Sequence, residues 1–130
     1  MDLNLTEPVS QKKIARPTNP INVYLIKKKN MKPTTQDVNG TSFHHTTIKC
    51  SVSTLKKVLG KPYDESNTGK NKVNFEWILE TDSGDVFTVY DWKEYRSLNK
   101  NEMIEWHIGG YNQSATEQAK REIREAIAKN

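Results

Sequence analysis

Residues 73–92 read VNFEWILETDSGDVFTVYDW, two β-forming runs on either side of a turn cluster. In the first run Val73, Phe75, Trp77 and Leu79 alternate with Asn74, Glu76, Ile78 and Glu80, the period of two expected of a strand with one buried face. Residues 82–85 (DSGD) are turn formers, so residues 73–81 and 86–92 are expected to pair as an antiparallel hairpin. With a four-residue loop, Phe75 faces Trp92, Trp77 faces Tyr90 and Leu79 faces Thr88, an aromatic ladder on the core side. Glu76 then lies opposite Asp91 on the other side.

Working outward from the hairpin, residues 41–50 (TSFHHTTIKC) are rich in β-branched side chains and predict a strand. Ser51 or Ser53 then caps a short helix whose Leu55, Val58 and Leu59 share one face, and Gly60 and Pro62 stop it. Residues 63–72 are a polar loop. Beyond the hairpin, residues 102–108 (EMIEWHI) send Ile104, Trp106 and Ile108 to one face and Met103, Glu105 and His107 to the other, with Gly109-Gly110 as the end. Ser114 with Glu117 forms a capping box for a last helix whose Ala115, Ala119, Ile123, Ala126 and Ile127 make a narrow stripe. The order β-α-β-β-β-α predicts an α+β domain over residues 41–130, its antiparallel sheet covered on one face by both helices. Phe75, Trp77, Tyr90, Trp92 and Trp106 are the expected core.

The chain's 130 residues suit one domain. Only 34% are hydrophobic, below the usual roughly 45–50%, and 28% are charged, so part of the chain is expected to stay unpacked. Residues 1–40 fit that part. They hold seven cations (Lys12, Lys13, Arg16, Lys27, Lys28, Lys29, Lys32) against three anions and so carry the entire net charge of +4. Four of the five prolines also fall there, which breaks helical and strand patterns and predicts an extended basic arm. Its apolar patch, residues 21–26 (INVYLI) with Tyr24, is suited to adding as a strand to a partner's sheet or to its own. Lys27, Lys28, Lys29 and Lys32 are the candidate contacts to phosphates or to an acidic protein surface. No apolar stretch is long enough for a membrane span and no secretory leader opens the chain, so no membrane partner and an intracellular setting are expected. Cys50, the one cysteine, can form neither an internal disulfide nor a cysteine-based zinc site.

If the aromatic positions point inward, the opposite face collects Glu76, Asp91, Glu105 and His107, with Lys93 and Arg96 near its end. Two carboxylates across a strand pair repel, so a cation, a metal or full solvation must relieve them. An ordinary wet sheet face and a polar acid–base pocket both fit this pattern. The carboxylates lack short-range ligand spacing, so no metal and no cofactor is expected. His44-His45-Thr46-Thr47 holds two overlapping His-x-Thr elements of the kind that protonate a phosphate in two-histidine phosphoesterases. Residue 109, two beyond His107, is glycine and lacks the hydroxyl a second element needs. The alternative catalytic set is therefore His45 and His107 as an acid–base pair with Asp91.

Residues 86–93 (VFTVYDWK), with Trp77 to Leu79 before them and Trp106 to Gly110 (WHIGG) after, resemble a family of small proteins encoded by bacteriophages and large DNA viruses. The family pattern is a strand and short helix ending in Gly-x-Pro, a W-x-L strand, a T-[IV]-Y-[DN]-[YW]-K strand, a W-H-I-G-G end and a last helix. Thr46 to Lys49, Leu59 to Pro62, Trp77 to Leu79, Thr88 to Lys93 and Trp106 to Gly110 match it, over about residues 41–127. The resemblance implies a viral origin and transfers no catalytic role. The leading expectation is a non-enzymatic viral accessory or assembly module whose arm orders on a host factor or a viral assembly. The alternatives are nucleic-acid binding through the lysine-rich arm and a small phosphoesterase using His45 and His107.

Overall fold

The computed structural model describes residues 31–130. Its elements are β1 (Lys32–Pro33), β2 (Ser42–Cys50), α1 (Val52–Leu59), β3 (Glu76–Glu80), β4 (Val86–Tyr90), β5 (Ile104–Gly110) and α2 (Gln113–Ala128). The strands form one antiparallel sheet in the order β1-β3-β4-β5-β2. The α+β class and the antiparallel sheet are as the sequence predicts, and β1 is an added edge strand. Its Lys32 and Pro33 pair with Glu80 and Leu79, an edge position where proline's missing N–H is tolerated. Residues after it also dock: Gln36 Nε2 donates to Glu80 Oε1 (3.2 Å) and the Gly84 carbonyl (3.0 Å), and the Tyr111 hydroxyl donates to the Asp37 carbonyl.

Local signals set the helix ends. Ser51 Oγ accepts from the Thr54 amide at 3.1 Å, and Gly60, at φ +85°, closes α1. The cap of α2 is Asn112, whose Oδ1 accepts from the Ala115 amide at 2.8 Å, and not Ser114. Glu117, freed from the expected capping box, accepts from the Thr46 hydroxyl at 3.1 Å, while the Thr46 and Thr116 hydroxyls meet at 2.7 Å. Gly109 and Gly110 are the last two residues of β5, which runs through them and does not stop at Ile108. A Cβ on Gly110 would sit 2.9 Å from Thr116 Cγ2, so the glycine lets α2 approach the sheet closely.

The hairpin forms as expected, but its register differs by one residue. The Thr81 amide donates to the Asp85 carbonyl (2.8 Å) and Gly84 N–H to the Thr81 carbonyl (2.9 Å), leaving a three-residue loop that ends on Gly84 at φ +90°. Trp77 therefore faces Val89, Leu79 faces Phe87, and Glu76 faces Tyr90. A slip of one residue turns every side chain of a strand over. Phe87, Val89 and Asp91 point into the core, while Tyr90 and Trp92, expected there, point to the opposite face.

The core lies between the sheet and the helices. Trp77 and Trp106 meet edge to face at 5.6 Å, and their indole N–H groups donate to the Gly60 and Cys50 carbonyls, both at 2.9 Å. Ile48, Leu79, Phe87, Val89, Ile104 and Ile108 from the strands meet Val52, Leu55, Ala119 and Ile123 from the helices. Burying each large apolar side chain contributes roughly 1.5–3 kcal/mol. Helix α2 crosses β2, β5 and β4, and α1 packs against α2, so both helices cover the same face. Among the described residues, no helix is long and apolar enough to cross a membrane.

Candidate functional site

The hairpin register puts a run of rings on the sheet face away from the helices. Tyr90 of β4 pairs with His107 of β5, which pairs with Thr47 of β2. A bulge between Phe43 and Thr46, with His45 at φ +67°, swings Phe43 onto His107, and the two rings stack at 4.0 Å with 15° between planes. Tyr90 and Trp92 lie 5.5 Å and 6.3 Å from His107 and 6.0 Å from each other, and His45 meets the edge of Phe43 at 5.2 Å. Trp92 is 40% exposed. The Lys72 and Lys93 ammonium groups lie 5.8 Å and 5.5 Å from its ring centre, within cation–π range.

The acidic groups of this face are partly withdrawn. Burial, then the negative charge of Asp64, pushes the Glu76 carboxyl above its usual range. Glu105 accepts from the Thr47 hydroxyl at 3.1 Å. Burial lowers the His107 pKa, against the smaller opposing pull of Glu105, which favours a neutral ring. Burial, and secondarily Glu76, raises the Tyr90 phenol.

Asp91 fixes the loops that carry Trp92. It is fully buried and belongs to the core side, so it is not part of the polar face on which the sequence placed it. Its Oδ1 accepts from the Asn74 and Phe75 amides (both 2.8 Å) and its Oδ2 from Asn74 Nδ2 (2.9 Å). Asn74 extends the network, donating to the Arg96 carbonyl and accepting from the Gly69 amide, each at 2.9 Å. Asn67 Oδ1 accepts from the Leu98 amide at 2.7 Å, and the Lys93 amide donates to the Lys72 carbonyl at 2.8 Å. Residues 67–75 and 91–98 are thus sewn together. Lys93 (φ +57°) and Tyr95 (φ +54°) sit in the left-handed region, where a non-glycine residue costs roughly 1–3 kcal/mol and persists only if its surroundings enforce it. Between the two loops lies an open depression of about 610 Å³ lined by Asp64, Lys70, Asn71, Lys72, Trp92 and Tyr95. A second concavity, about 430 Å³, lies between residues 33–38 and the β3 edge beside Tyr63.

Of the residues expected to carry function, Glu76, Glu105 and His107 share the open face, and Lys93 stands over Trp92 at its end. His45 and His107 both touch Phe43. Arg96 is held by Glu102 in two bonds of 2.9 Å and 2.6 Å. Lys32 lies 3.8 Å from Glu80. Tyr24, Lys27, Lys28 and Lys29 fall outside the described residues. Phe43, Tyr90, Trp92, Lys72 and Tyr95 were not singled out as an exposed group by the sequence, because the wrong loop length put Tyr90 and Trp92 in the core. Among the described residues, no three His, Cys, Asp or Glu side chains stand together as metal ligands. No protein-family model, no curated protein and no solved structure matches the chain.

Proposed function

We propose that this protein is a non-enzymatic binding module that grips a macromolecular partner with the open sheet face around Trp92. The observation that carries the reading is Trp92 itself, an exposed indole with two lysine ammonium groups 5.8 Å and 5.5 Å from its ring centre. Exposed tryptophan is a common anchor of recognition surfaces, since it supplies a large contact area with little side-chain entropy to lose. The strained, cross-linked loops beneath it supply preorganisation, which reduces the ordering cost of binding. The resemblance of the WHIGG and TVYDWK strands to virus-encoded proteins supports reading the module as a viral accessory or assembly protein that acts inside the host cell. The lysines of the basic arm, Lys27, Lys28, Lys29 and Lys32, add affinity for the same partner in this reading.

A photo-crosslinking amino acid tests the reading. Placed at Lys49 or Tyr95, at either end of the face, it is expected to give macromolecular adducts in cells making the full chain. Placed at Arg124, exposed on α2, it is expected to give none. Adducts from Arg124 alone, or equally from all three sites, refute the reading.

A further inference from the structure

We infer that the platform's ligand is single-stranded nucleic acid, a step that rests on the binding reading above. The face alternates flat π surfaces with point cations: Lys72 and Lys93 flank Trp92, Lys70 borders the depression beside it, and Lys49 lies on the β2 side. A nucleotide chain has the complementary alternation of flat base and anionic phosphate. One base stacks on the Trp92 indole, with Tyr95 (54% exposed) as the other aromatic wall of the depression, while neighbouring phosphates meet the lysines. The strand then continues over Tyr90, His107 and Phe43, whose rings run without a gap from β4 to β2.

Charge complementarity favours this ligand over an acidic peptide. Lys49, Lys70, Lys72 and Lys93 outnumber the carboxylates of the face and its depression, the exposed Glu105 and Asp64 and the half-buried Glu76, so an approaching anion meets a net positive rim. An acidic peptide would satisfy the lysines and leave the ring faces without flat partners. A duplex would bring phosphates but keep its base faces stacked on one another, out of reach of Trp92. Stacking on a ring and contact with a phosphate do not depend on which base is present, so the expected preference is for single strands over duplex, with little sequence selectivity.

The test uses the full chain with fluorescein-labelled dT20 and rU20, a duplex of the same length, and heparin as a polyanion without bases. Trp77 and Trp106 are buried, so quenching of tryptophan emission on binding reports Trp92. The expected result is at least tenfold tighter binding of single strands than of duplex, with quenching. Trp92→Ala is expected to weaken binding about tenfold, and Trp92→Phe to recover most of it. Lys72→Gln with Lys93→Gln is expected to flatten the slope of log K against log salt by about 1.4, at about 0.7 per lost phosphate contact. A far-UV spectrum and urea midpoint matching the parent exclude misfolding of each variant. Unchanged binding by Trp92→Ala, or binding displaced by heparin as readily for single strands as for duplex, overturns the inference. Protein adducts at Lys49 and Tyr95 without oligonucleotide binding overturn the nucleic-acid inference and leave the binding reading standing; no adducts from the face overturn both.

Discussion

Replacing Asp91 by Asn keeps the side chain's shape and changes only its hydrogen-bonding capacity, which makes it the sharpest probe of the loop scaffold. The carboxylate takes three bonds at 2.8, 2.8 and 2.9 Å from the Asn74 amide, the Phe75 amide and Asn74 Nδ2, with no exposed surface of its own. In Asp91→Asn the amide oxygen still serves the two backbone donors, but as a neutral acceptor each bond loses about 1 kcal/mol. The new NH₂ then faces the NH₂ of Asn74, and that lost bond adds about 1–3 kcal/mol. The expected loss is about 3–5 kcal/mol, a large share of the roughly 5–15 kcal/mol that holds a domain folded. Urea unfolding followed by circular dichroism and by tryptophan emission measures it, with an unchanged m-value showing that the unfolded state is unaltered. Amide exchange should speed up at Gly69, Asn74 and Phe75 more than at Val89 in the central strand. A loss below 0.5 kcal/mol, or uniform acceleration across the sheet, would refute the view that this carboxylate ties the two loops together.

Three further outcomes are expected. Gly110→Ala should cost about 1–3 kcal/mol, because its methyl would meet Thr116 Cγ2 at 2.9 Å, and adding Thr116→Ser, which removes that methyl and keeps the hydroxyl near Thr46, should recover part of it in a double-mutant cycle. Since burial lowers the His107 pKa in the fold, the unfolded chain binds the proton more readily; the contribution is complete above about pH 6.5 and falls as pH drops toward the folded value, and NMR titration of the His107 ring should show the lowered pKa. Burial pushes the Cys50 thiol from 9.0 to about 11, so at pH 8 it carries about a hundredfold less thiolate than in the unfolded chain, and its reaction with a disulfide reagent should be correspondingly slow until denaturant is added.

The parts of the fold legible in the sequence are those decided within a few residues. Ser51 and Gly60 bound α1 through contacts no more than four residues away, and the alternation of residues 104–108 identifies the buried Ile104, Trp106 and Ile108 without knowledge of their partners. What the sequence hides depends on a second element. The reason for two glycines at the end of β5 lies in Thr88 beneath one and α2 against the other. Strand β1 has two residues and no periodicity to detect. Asn112 and Ser114 are both good caps, and the turn after Gly110 decides between them. In the candidate site, Glu105 and His107 are legible from their strand's own alternation, whereas Lys72 sits in a loop that nothing local ties to Trp92.

The exposure of Tyr90 and Trp92 follows from the loop at residues 82–84. Both loop lengths are compatible with DSGD, and both leave apolar side chains on either face of the second strand, because Phe87 and Val89 are as fit for a core as Tyr90 and Trp92. Two features far from the turn settle the choice. Asp91 can be buried only where donors converge, and Asn74, Phe75 and the Asn74 side chain supply three on the core side. Gly109 lies across from Thr88, whose Oγ1 would stand 2.7 Å from any Cβ there, so the glycine leaves room for Thr88 on the same face as Tyr90. The alternative register would bury Tyr90 and Trp92, strand the Asp91 carboxylate on the wet face and leave the Asn74 and Phe75 amides unpaired in the interior, at about 1–3 kcal/mol each. The side chain that sequence reasoning assigned to chemistry is therefore the one whose burial turns the aromatic pair onto the open face of the sheet.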